Sequence, residues 1–125
     1  MNNLSGKIAL VTGSSRGIGR AAGLIMASCG AKVLFHGVRE SEKLSSAVAE
    51  AGNGAESLTA DFGNMDEVRA LADTLKKRSM IPDILVLNAS VQSYTGLGNF
   101  DGEEFCRMFR TNVESSCILL QELLP

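Results

Sequence analysis

One stretch constrains the fold of this chain more than any other: LVTGSSRGIG at positions 10–19. It follows an apolar run, Ile8 to Val11, that is typical of a buried strand, and it leads into apolar residues at helical spacing. The spacing TGxxxGxG predicts a strand–turn–helix unit whose backbone N–H groups can bind a phosphate at the helix N-terminus. Because the spacing is not GxGxxG and no Gly-Lys-Ser/Thr follows, we do not expect a nucleoside-triphosphate loop.

The rest of the chain alternates between strand and helix patterns. Strands are predicted over 7–12, 31–36, 56–60 and 83–88, and helices over 16–29, from 40 or 41 to 51, from 64 and from 101 onward. Gly30 is placed to end the first helix, and Asn64 to Glu67 is typical of a capping box. This order predicts one α/β domain over 1–125, a doubly wound Rossmann-type parallel sheet with helices on both faces.

Helical periodicity also predicts which faces are buried. The expected buried residues are Ile18, Ala21, Ala22, Ile25, Met26 and Cys29 on the first helix, Leu44, Ala47, Val48 and Ala51 on the second, Val68, Leu71, Ala72 and Leu75 on the third, and Phe105, Met108, Phe109, Val113, Cys117, Leu120 and Leu124 on the last. The three cysteines are expected to be reduced and mostly buried. The Met and Phe residues of the last helix are interpreted as either core or a surface for a partner helix.

Polar or glycine-rich residues follow every predicted strand. The glycine turn follows the first strand, residues 36–40 end the second, Asp61 follows the third, and 88–90 follow the fourth. Because the carboxyl ends of parallel strands meet at one edge of the sheet, a ligand crevice is expected there. His36 is the only histidine and is interpreted as structural, since no His/Cys/Asp cluster has the spacing of a metal site.

Composition excludes several classes of function. The net charge is -2 and no basic patch indicates nucleic acid as a partner. No apolar run approaches the length of a membrane span, and the first residues do not form a signal peptide. The expected compartment is therefore the cytoplasm.

Taken together, the motifs Thr12-Gly13-x-x-x-Gly17-x-Gly19, Asp61, Asn88-Ala89 and Thr111-Asn112-Val113 resemble those of the short-chain dehydrogenase/reductase family almost from end to end. The resemblance implies that the glycine turn binds a nicotinamide cofactor through Gly13, Ser15, Arg16, Gly17, Ile18 and Gly19. It also implies that Asp61 bonds the adenine, that the Phe62 backbone lies beside it, and that Asn88, Ala89 and Ser90 line the ribose. Asn112 would be the asparagine of the catalytic tetrad, kinking its helix and holding a water of the proton relay.

Two features depart from the family pattern. The fourth motif usually reads Asn-Asn-Ala-Gly, whereas this chain has Leu87-Asn88-Ala89-Ser90. The catalytic Ser and Tyr-x-x-x-Lys of the family have no match here, because the only tyrosine, Tyr94, is followed four residues later by Gly98. We therefore expect the cofactor-binding, N-terminal half of such an enzyme, truncated after the fourth βα unit and without dehydrogenase activity alone.

Residues at the end of the second strand predict the choice of cofactor. NAD-binding proteins place an acid there for the ribose 2′-hydroxyl, whereas NADP-binding proteins use arginine for the 2′-phosphate. Here the residues are His36-Gly37-Val38-Arg39-Glu40, and Arg16 in the glycine turn can reach the same phosphate. This pattern favours NADP(H) over NAD(H), with Arg39 reaching from one position later than usual; Glu40 could serve an NAD ribose if the loop shifts.

The expected reaction is hydride transfer to or from a carbonyl or alcohol carbon of a small molecule, and a 3-oxoacyl-carrier-protein-type reductase is one possible identity. By the resemblance, the last helix helps to form a homo-oligomer. The alternative is a non-catalytic nucleotide-binding fragment or interaction module.

Overall fold

In the computed structural model, residues 3–125 are described and form a four-stranded sheet with helices on both faces. The strands are β1 (Ile8–Val11), β2 (Lys32–Gly37), β3 (Glu56–Thr59) and β4 (Ile84–Val86). The helices are α1 (Gly17–Ser28), α2 (Glu42–Ala51), α3 (Met65–Lys77), α4 (Gly102–Phe109) and α5 (Ser115–Leu123). A short 3-10 helix (Leu97–Asn99) precedes α4, and a π-helical turn (Arg110–Glu114) joins α4 to α5. The strand order is β3-β2-β1-β4 and every pair is parallel, which confirms the predicted fold class.

The two faces of the sheet support separate apolar clusters. Leu10 and Leu34 point to the side covered by α3 and α5, where they pack with Leu75 and Leu119. Alternate residues of the same strands, such as Val33 and Phe35, point to the side of α1 and α2. Burial on both faces explains why β1 is apolar throughout and why β2 has a continuous apolar run over 33–35.

Helix α1 buries a different face from the predicted one. Its buried residues are Gly19, Gly23 and Ala27, whereas Ile18 and Ile25 are 82% and 63% exposed. A Cβ atom at Gly23 would lie 2.4 Å from the Phe35 ring, so the helix packs close to the sheet only through small residues. The predicted burial is therefore wrong for Ile18, Ala21 and Ile25, because the close contact selects small side chains. Met26 is half-buried and packs against the core. The end of α1 at Gly30 is confirmed, with Gly30 N–H donating to Ala27 O and Ala31 N–H to Met26 O.

Helix α3 follows its prediction closely. Val68, Leu71, Ala72 and Leu75 are all buried, and the Asn64 side chain accepts a hydrogen bond from Asp66 N–H. The return hydrogen bond of the predicted capping box is absent, because the Glu67 carboxylate accepts from Asp61 N–H and not from Asn64 N–H. Glu67 thus fixes the end of β3 at the edge where the crevice was expected.

The last predicted helix is broken, and its predicted buried stripe is wrong. The π-helical turn separates α4 from α5, and the buried residues are Thr111, Ser115, Ile118, Leu119 and Leu123. Most of the predicted stripe instead faces outward; we call the exposed apolar residues Phe105, Phe109, Val113, Leu120 and Leu124 the outward stripe. Cys106 and Cys117 are exposed and Cys29 is half-buried, so the prediction of mostly buried cysteines is also wrong; all three are free thiols. The segment carries apolar residues on two faces. The face that begins with small polar residues packs against α3, and the outward stripe stays exposed.

Candidate functional site

A cleft of about 410 Å³ opens at the carboxyl ends of the strands, where the sequence predicted a crevice. Such a volume falls within the usual range for small-molecule sites. Ten of the twelve predicted cofactor-binding residues line it: Gly13, Ser15, Arg16, Gly17, Ile18, Asp61, Phe62, Asn88, Ala89 and Ser90.

The Thr12 hydroxyl joins the end of β1 to the end of β4 beneath this cleft. Its oxygen accepts hydrogen bonds from the N–H groups of Asn88 (2.9 Å) and Ala89 (3.0 Å), and it donates to Val86 O (3.3 Å). Thr12 is buried, and three bonds use the full capacity of a hydroxyl group. The Asn88 amide adds donations to Thr12 O and Gly13 O, so its side chain holds the glycine turn in place.

The glycines of the turn are required by its geometry. Gly13 has φ +62°, and a Cβ there would lie 2.8 Å from the Ala89 Cα. At Gly19 a Cβ would lie 2.5 Å from Gly13 O and 2.6 Å from the Asn88 Nδ2. Gly17 has φ +61°, with nothing within 4 Å of a Cβ position. Gly19 is therefore buried under the turn and does not line the cleft, while Gly17 faces open space.

Hydrogen bonding divides the amides of the turn into two sets. Gly13 N–H donates to the His36 Nδ1 and Ser14 N–H donates to His36 O, so both are already satisfied. Among the described residues, the N–H groups of 15–18 donate to no protein acceptor. These four free donors precede and open α1, where the helix dipole favours an anion. The second half of the turn therefore offers free donors that an anion could accept from.

His36 connects the glycine turn to the end of β3. Its side chain is 2% exposed, with Nδ1 2.9 Å from Gly13 N and Nε2 2.9 Å from Ala60 O. The ring stacks on Phe62 with centroids 4.0 Å apart. Burial lowers the pKa of His36 below its usual 6.5, against the smaller, opposing effect of the hydrogen bond to Ala60. The structural role predicted for His36 is confirmed, and the residue also lines the cleft, at the strand end where the sequence predicted a crevice.

The end of β3 and helix α4 form the opposite wall of the cleft. The Asp61 carboxylate accepts a hydrogen bond from Gly63 N–H through one oxygen, Oδ1. Arg107 and Thr111, one helical turn apart, line the same wall. Within residues 3–125, the Thr111 Oγ1 is a buried oxygen without a hydrogen-bond partner. A buried polar group normally has a partner, so this wall has unused hydrogen-bonding capacity.

At the tip of β2, the cleft is lined by Gly37 and an exposed Val38, with Arg16 on the other side of the turn. Arg39 is exposed and lies beyond the lining residues. The Glu40 carboxylate accepts a hydrogen bond from the Ser57 hydroxyl on β3, at 3.1 Å. No acidic side chain at the tip of β2 therefore lines the cleft.

Asn112 does not line the cleft, but it holds a residue that does. Its Oδ1 accepts from Val91 N–H at 2.8 Å and its Nδ2 donates to Val91 O at 2.9 Å. The amide thus pairs with the backbone as a neighbouring strand would, and it fixes the segment after β4 to the π-helical turn. The helix distortion that the resemblance implied at Asn112 is present.

Six lining residues were not among the predicted cofactor-binding residues: His36, Gly37, Val38, Val91, Arg107 and Thr111. The first three lie within the stretch used to predict the cofactor, so their position was available from the strand end. Arg107 lies on α4 and Thr111 in the π-helical turn, so neither follows a strand, and only helix packing brings them to the strand edge.

Two other kinds of site are not found in the described part of the chain. No group of three or more His, Cys, Asp or Glu side chains within residues 3–125 could hold a metal ion. No helix there combines the length and the apolar content that crossing a bilayer requires.

Comparison with known proteins gives a family match for residues 7–125, described as short chain dehydrogenase. Versicolorin reductase 1 of Dothistroma septosporum is 34% identical over 122 residues, covering 95% of this chain and 46% of that protein. The chain spans about half the length of the curated relatives it matches.

Solved structures match this chain in fold, and the chain again covers only about half of each. A metagenomic short-chain oxidoreductase in complex with NADP superposes with a TM-score of 0.90 and 34% identity, covering 98% of this chain and 57% of the other. A 3-oxoacyl (acyl-carrier-protein) reductase from Agrobacterium tumefaciens with NADP bound gives 0.88 and 32%, covering 98% and 48%.

Proposed function

Because this chain belongs to the short-chain dehydrogenase family of oxidoreductases, we propose that its cleft binds NADP(H) as the cofactor-binding half of a reductase. The observation that carries the proposal is the set of free N–H groups at residues 15–18, at the opening of α1 and at the sheet edge. A pyrophosphate is the part of a dinucleotide that such donors suit.

The remaining walls of the cleft fit the rest of a dinucleotide. Asp61 keeps one carboxylate oxygen beyond the Gly63 bond, so it can pair with an adenosine. Thr111 lines the same wall. Asn88 supports the turn from below, while Ala89 and Ser90 form the side nearest β4. When bound, NADP(H) would supply or accept the hydride, and the residues of this chain would hold and orient it.

Two observations support NADP(H) over NAD(H). Val38 occupies the tip of β2 in the cleft, and Glu40, the first acid after β2 in the sequence, accepts a hydrogen bond from Ser57. Arg16 lines the cleft, and guanidinium binds phosphate with a charge-assisted pair of hydrogen bonds. We therefore assign the 2′-phosphate chiefly to Arg16, with Arg39 approaching from the rim.

The proposed reaction of the whole protein is hydride transfer between the nicotinamide and a carbonyl or alcohol carbon, with a 3-oxoacyl-type substrate as the first candidate. Tyr94 is not assigned as proton donor, since it is 92% exposed and its hydroxyl donates to Gln92. Asn112 is proposed as the tetrad asparagine, positioned by Val91. We further propose that the outward stripe of α4 and α5 joins copies of the protein.

Calorimetric titration of the 125-residue chain with NADPH and NADH tests the proposal. NADPH is expected to bind at least about tenfold more tightly, because a hydrogen-bonded charge contributes roughly 1.5–3 kcal/mol. Arg16→Ala should remove most of this preference, Arg39→Ala a smaller part, and Arg69→Ala, an exposed arginine of α3, none. Equal affinity for the two cofactors would refute the NADP assignment, and no binding of either would refute the dinucleotide site. Hydride transfer to an oxoacyl substrate by these 125 residues alone would contradict their assignment as only the cofactor-binding half.

A further inference from the structure

We propose that His36 is the positioning residue of the glycine turn, and that its imidazole must be neutral, with the proton on Nε2, for the turn to hold a dinucleotide phosphate. The proposal rests on the proposed function and adds to it a pH-dependent control of cofactor binding. It assigns to His36 a role that neither its strand position nor the glycine motif indicates.

The hydrogen bonds of His36 require one tautomer. Gly13 N–H is a donor, so Nδ1 must accept, while Ala60 O is an acceptor, so Nε2 must donate. A second proton on the ring would set an N–H on Nδ1 against the N–H of Gly13. In a side chain that is 2% exposed, water cannot separate these two donors.

We expect protonation of His36 to affect phosphate binding through Gly13. Gly13 begins the turn with φ +62°, it lies against Ala89, and it precedes the four free N–H groups of 15–18 in the same turn. The His36 backbone also bonds Ser14 on both sides, its N–H donating to Ser14 Oγ and its C=O accepting from Ser14 N–H. His36 therefore sets the first two residues of the turn, and through them the direction of the donors that follow.

The same ring supports the adenosine side of the cleft. It stacks on Phe62 and bonds Ala60, the two residues on either side of Asp61. One imidazole thus links the phosphate donors to the proposed adenine acceptor, so that a change in the ring reaches both ends of the site.

Charged groups of both signs line the same cleft as the ring. The Asp61 carboxylate on the β3 side would stabilise an imidazolium, whereas Arg16 of the turn and Arg107 of α4 would destabilise it. Burial also disfavours the charged ring, and the pKa of His36 is lowered accordingly. We expect the ring to stay neutral at pH 7 and to become protonated only in acid.

Two substitutions separate the bond to Gly13 from the bond to Ala60. In His36→Asn, the amide oxygen takes the place of Nδ1 and can accept from Gly13 N–H, but it does not titrate and does not reach Ala60. In His36→Leu, both bonds are lost at all pH values. We expect His36→Asn to keep NADPH affinity within about threefold at pH 8. We expect His36→Leu to bind about tenfold more weakly than His36→Asn, because the two variants differ by the hydrogen bond to Gly13.

The chain has a single histidine, so nuclear magnetic resonance of the 15N-labelled full chain reads His36 without ambiguity. The spectrum should show a neutral ring protonated at Nε2, with a pKa below 6.5 that NADPH lowers further, because linkage is reciprocal. Below that measured pKa, NADPH affinity of the unmodified chain should fall about tenfold relative to His36→Asn. Using the same ligand for both proteins cancels titration of the 2′-phosphate.

A ring protonated at Nδ1, or a pKa at or above 6.5, would overturn the proposal whether or not NADPH binds. Equal pH dependence of affinity in the unmodified chain and His36→Asn would overturn it too. If neither NADPH nor NADH binds, the proposed function and the control of cofactor binding both fail. The tautomer and pKa would then still show whether His36 holds Gly13.

Discussion

The floor of the cleft and the outward stripe of the last helix differ in whether their side chains have partners within the chain. On the floor, Thr12, Ser14, His36 and Asn88 are tied to the surrounding backbone by hydrogen bonds. The two hydroxyl groups, both ring nitrogens of His36 and the amide nitrogen of Asn88 each have a protein partner. The outward stripe is an apolar surface exposed to solvent. The first region is complete in these residues, whereas the second has the character of a contact surface.

The two regions therefore meet different structural requirements. A phosphate site needs donors held in fixed directions, so its support must be rigid before the ligand arrives. A contact surface needs only matching apolar area, so it can remain uncovered until a partner binds. Substitutions on the floor should therefore affect the free energy of unfolding of the chain, and substitutions on the stripe should affect association.

The largest expected effect comes from filling the space beneath the turn. Gly19→Ala places a Cβ 2.5 Å from Gly13 O, which the turn can avoid only by moving. We expect the free energy of unfolding to fall by about 3 kcal/mol, the upper part of the range for overpacked cores, and NADPH affinity to be lost. Urea denaturation and calorimetry measure both. Gly96→Ala, where a Cβ meets nothing within 4 Å, is the control and should change neither.

The second largest effect is expected from removal of the Thr12 hydroxyl. Thr12→Val keeps the shape but leaves the N–H groups of Asn88 and Ala89 without their acceptor, which should destabilise the chain by about 2 kcal/mol. Thr74→Val, on the exposed side of α3, should change stability by less than about 0.5 kcal/mol. Equal denaturation midpoints for the two variants would contradict the view that the floor is held by these bonds.

A smaller effect is the dependence of stability on pH. The pKa of His36 is lowered from 6.5 in the folded chain, so below 6.5 the unfolded chain takes up a proton that the folded chain does not. The free energy of unfolding should therefore be constant above 6.5 and decrease as the pH falls from 6.5 toward the folded pKa. Glu56, whose pKa is lowered from 4.5 by hydrogen bonds from Lys32 and Arg78, adds its own loss only below 4.5.

Denaturation curves between pH 7.5 and 4.5 measure this dependence, with His36→Asn as the control. The variant should have a flatter profile over this range. A profile that keeps the full slope without the imidazole would assign the effect to other groups.

The smallest effect on folding is expected at the outward stripe. Phe109→Ser should change the free energy of unfolding by less than about 0.5 kcal/mol, since the ring is half exposed and outside the core. It should nevertheless weaken self-association, as measured by light scattering at several concentrations. Ile25→Ser, on the exposed face of α1, is a matched control expected to leave association unchanged. A chain that is monomeric before substitution would contradict the proposed role of the stripe.

Most residues of the proposed cofactor site could be predicted from the sequence because they follow strands directly. Gly13, Asp61 and Asn88 each come within two residues of a strand end, and parallel pairing brings such ends to one edge. Arg107 and Thr111 were missed because a helix, and not a strand end, carries them to the wall. The errors in burial arose where apolar periodicity was the only guide, on α1 and on the last helix.

The sequence by itself determined the strand and helix order, the parallel sheet and the position of the glycine turn. These depend on local preferences and on pairing rules that hold wherever the pattern occurs. Only the tertiary structure decided that Gly13 N–H and Ser14 N–H are taken by His36, that Asn112 holds Val91, and that α1 buries glycines while its isoleucines face solvent. Each of these outcomes depends on the distance between elements far apart in the chain, which is set by how closely the packed side chains allow them to approach.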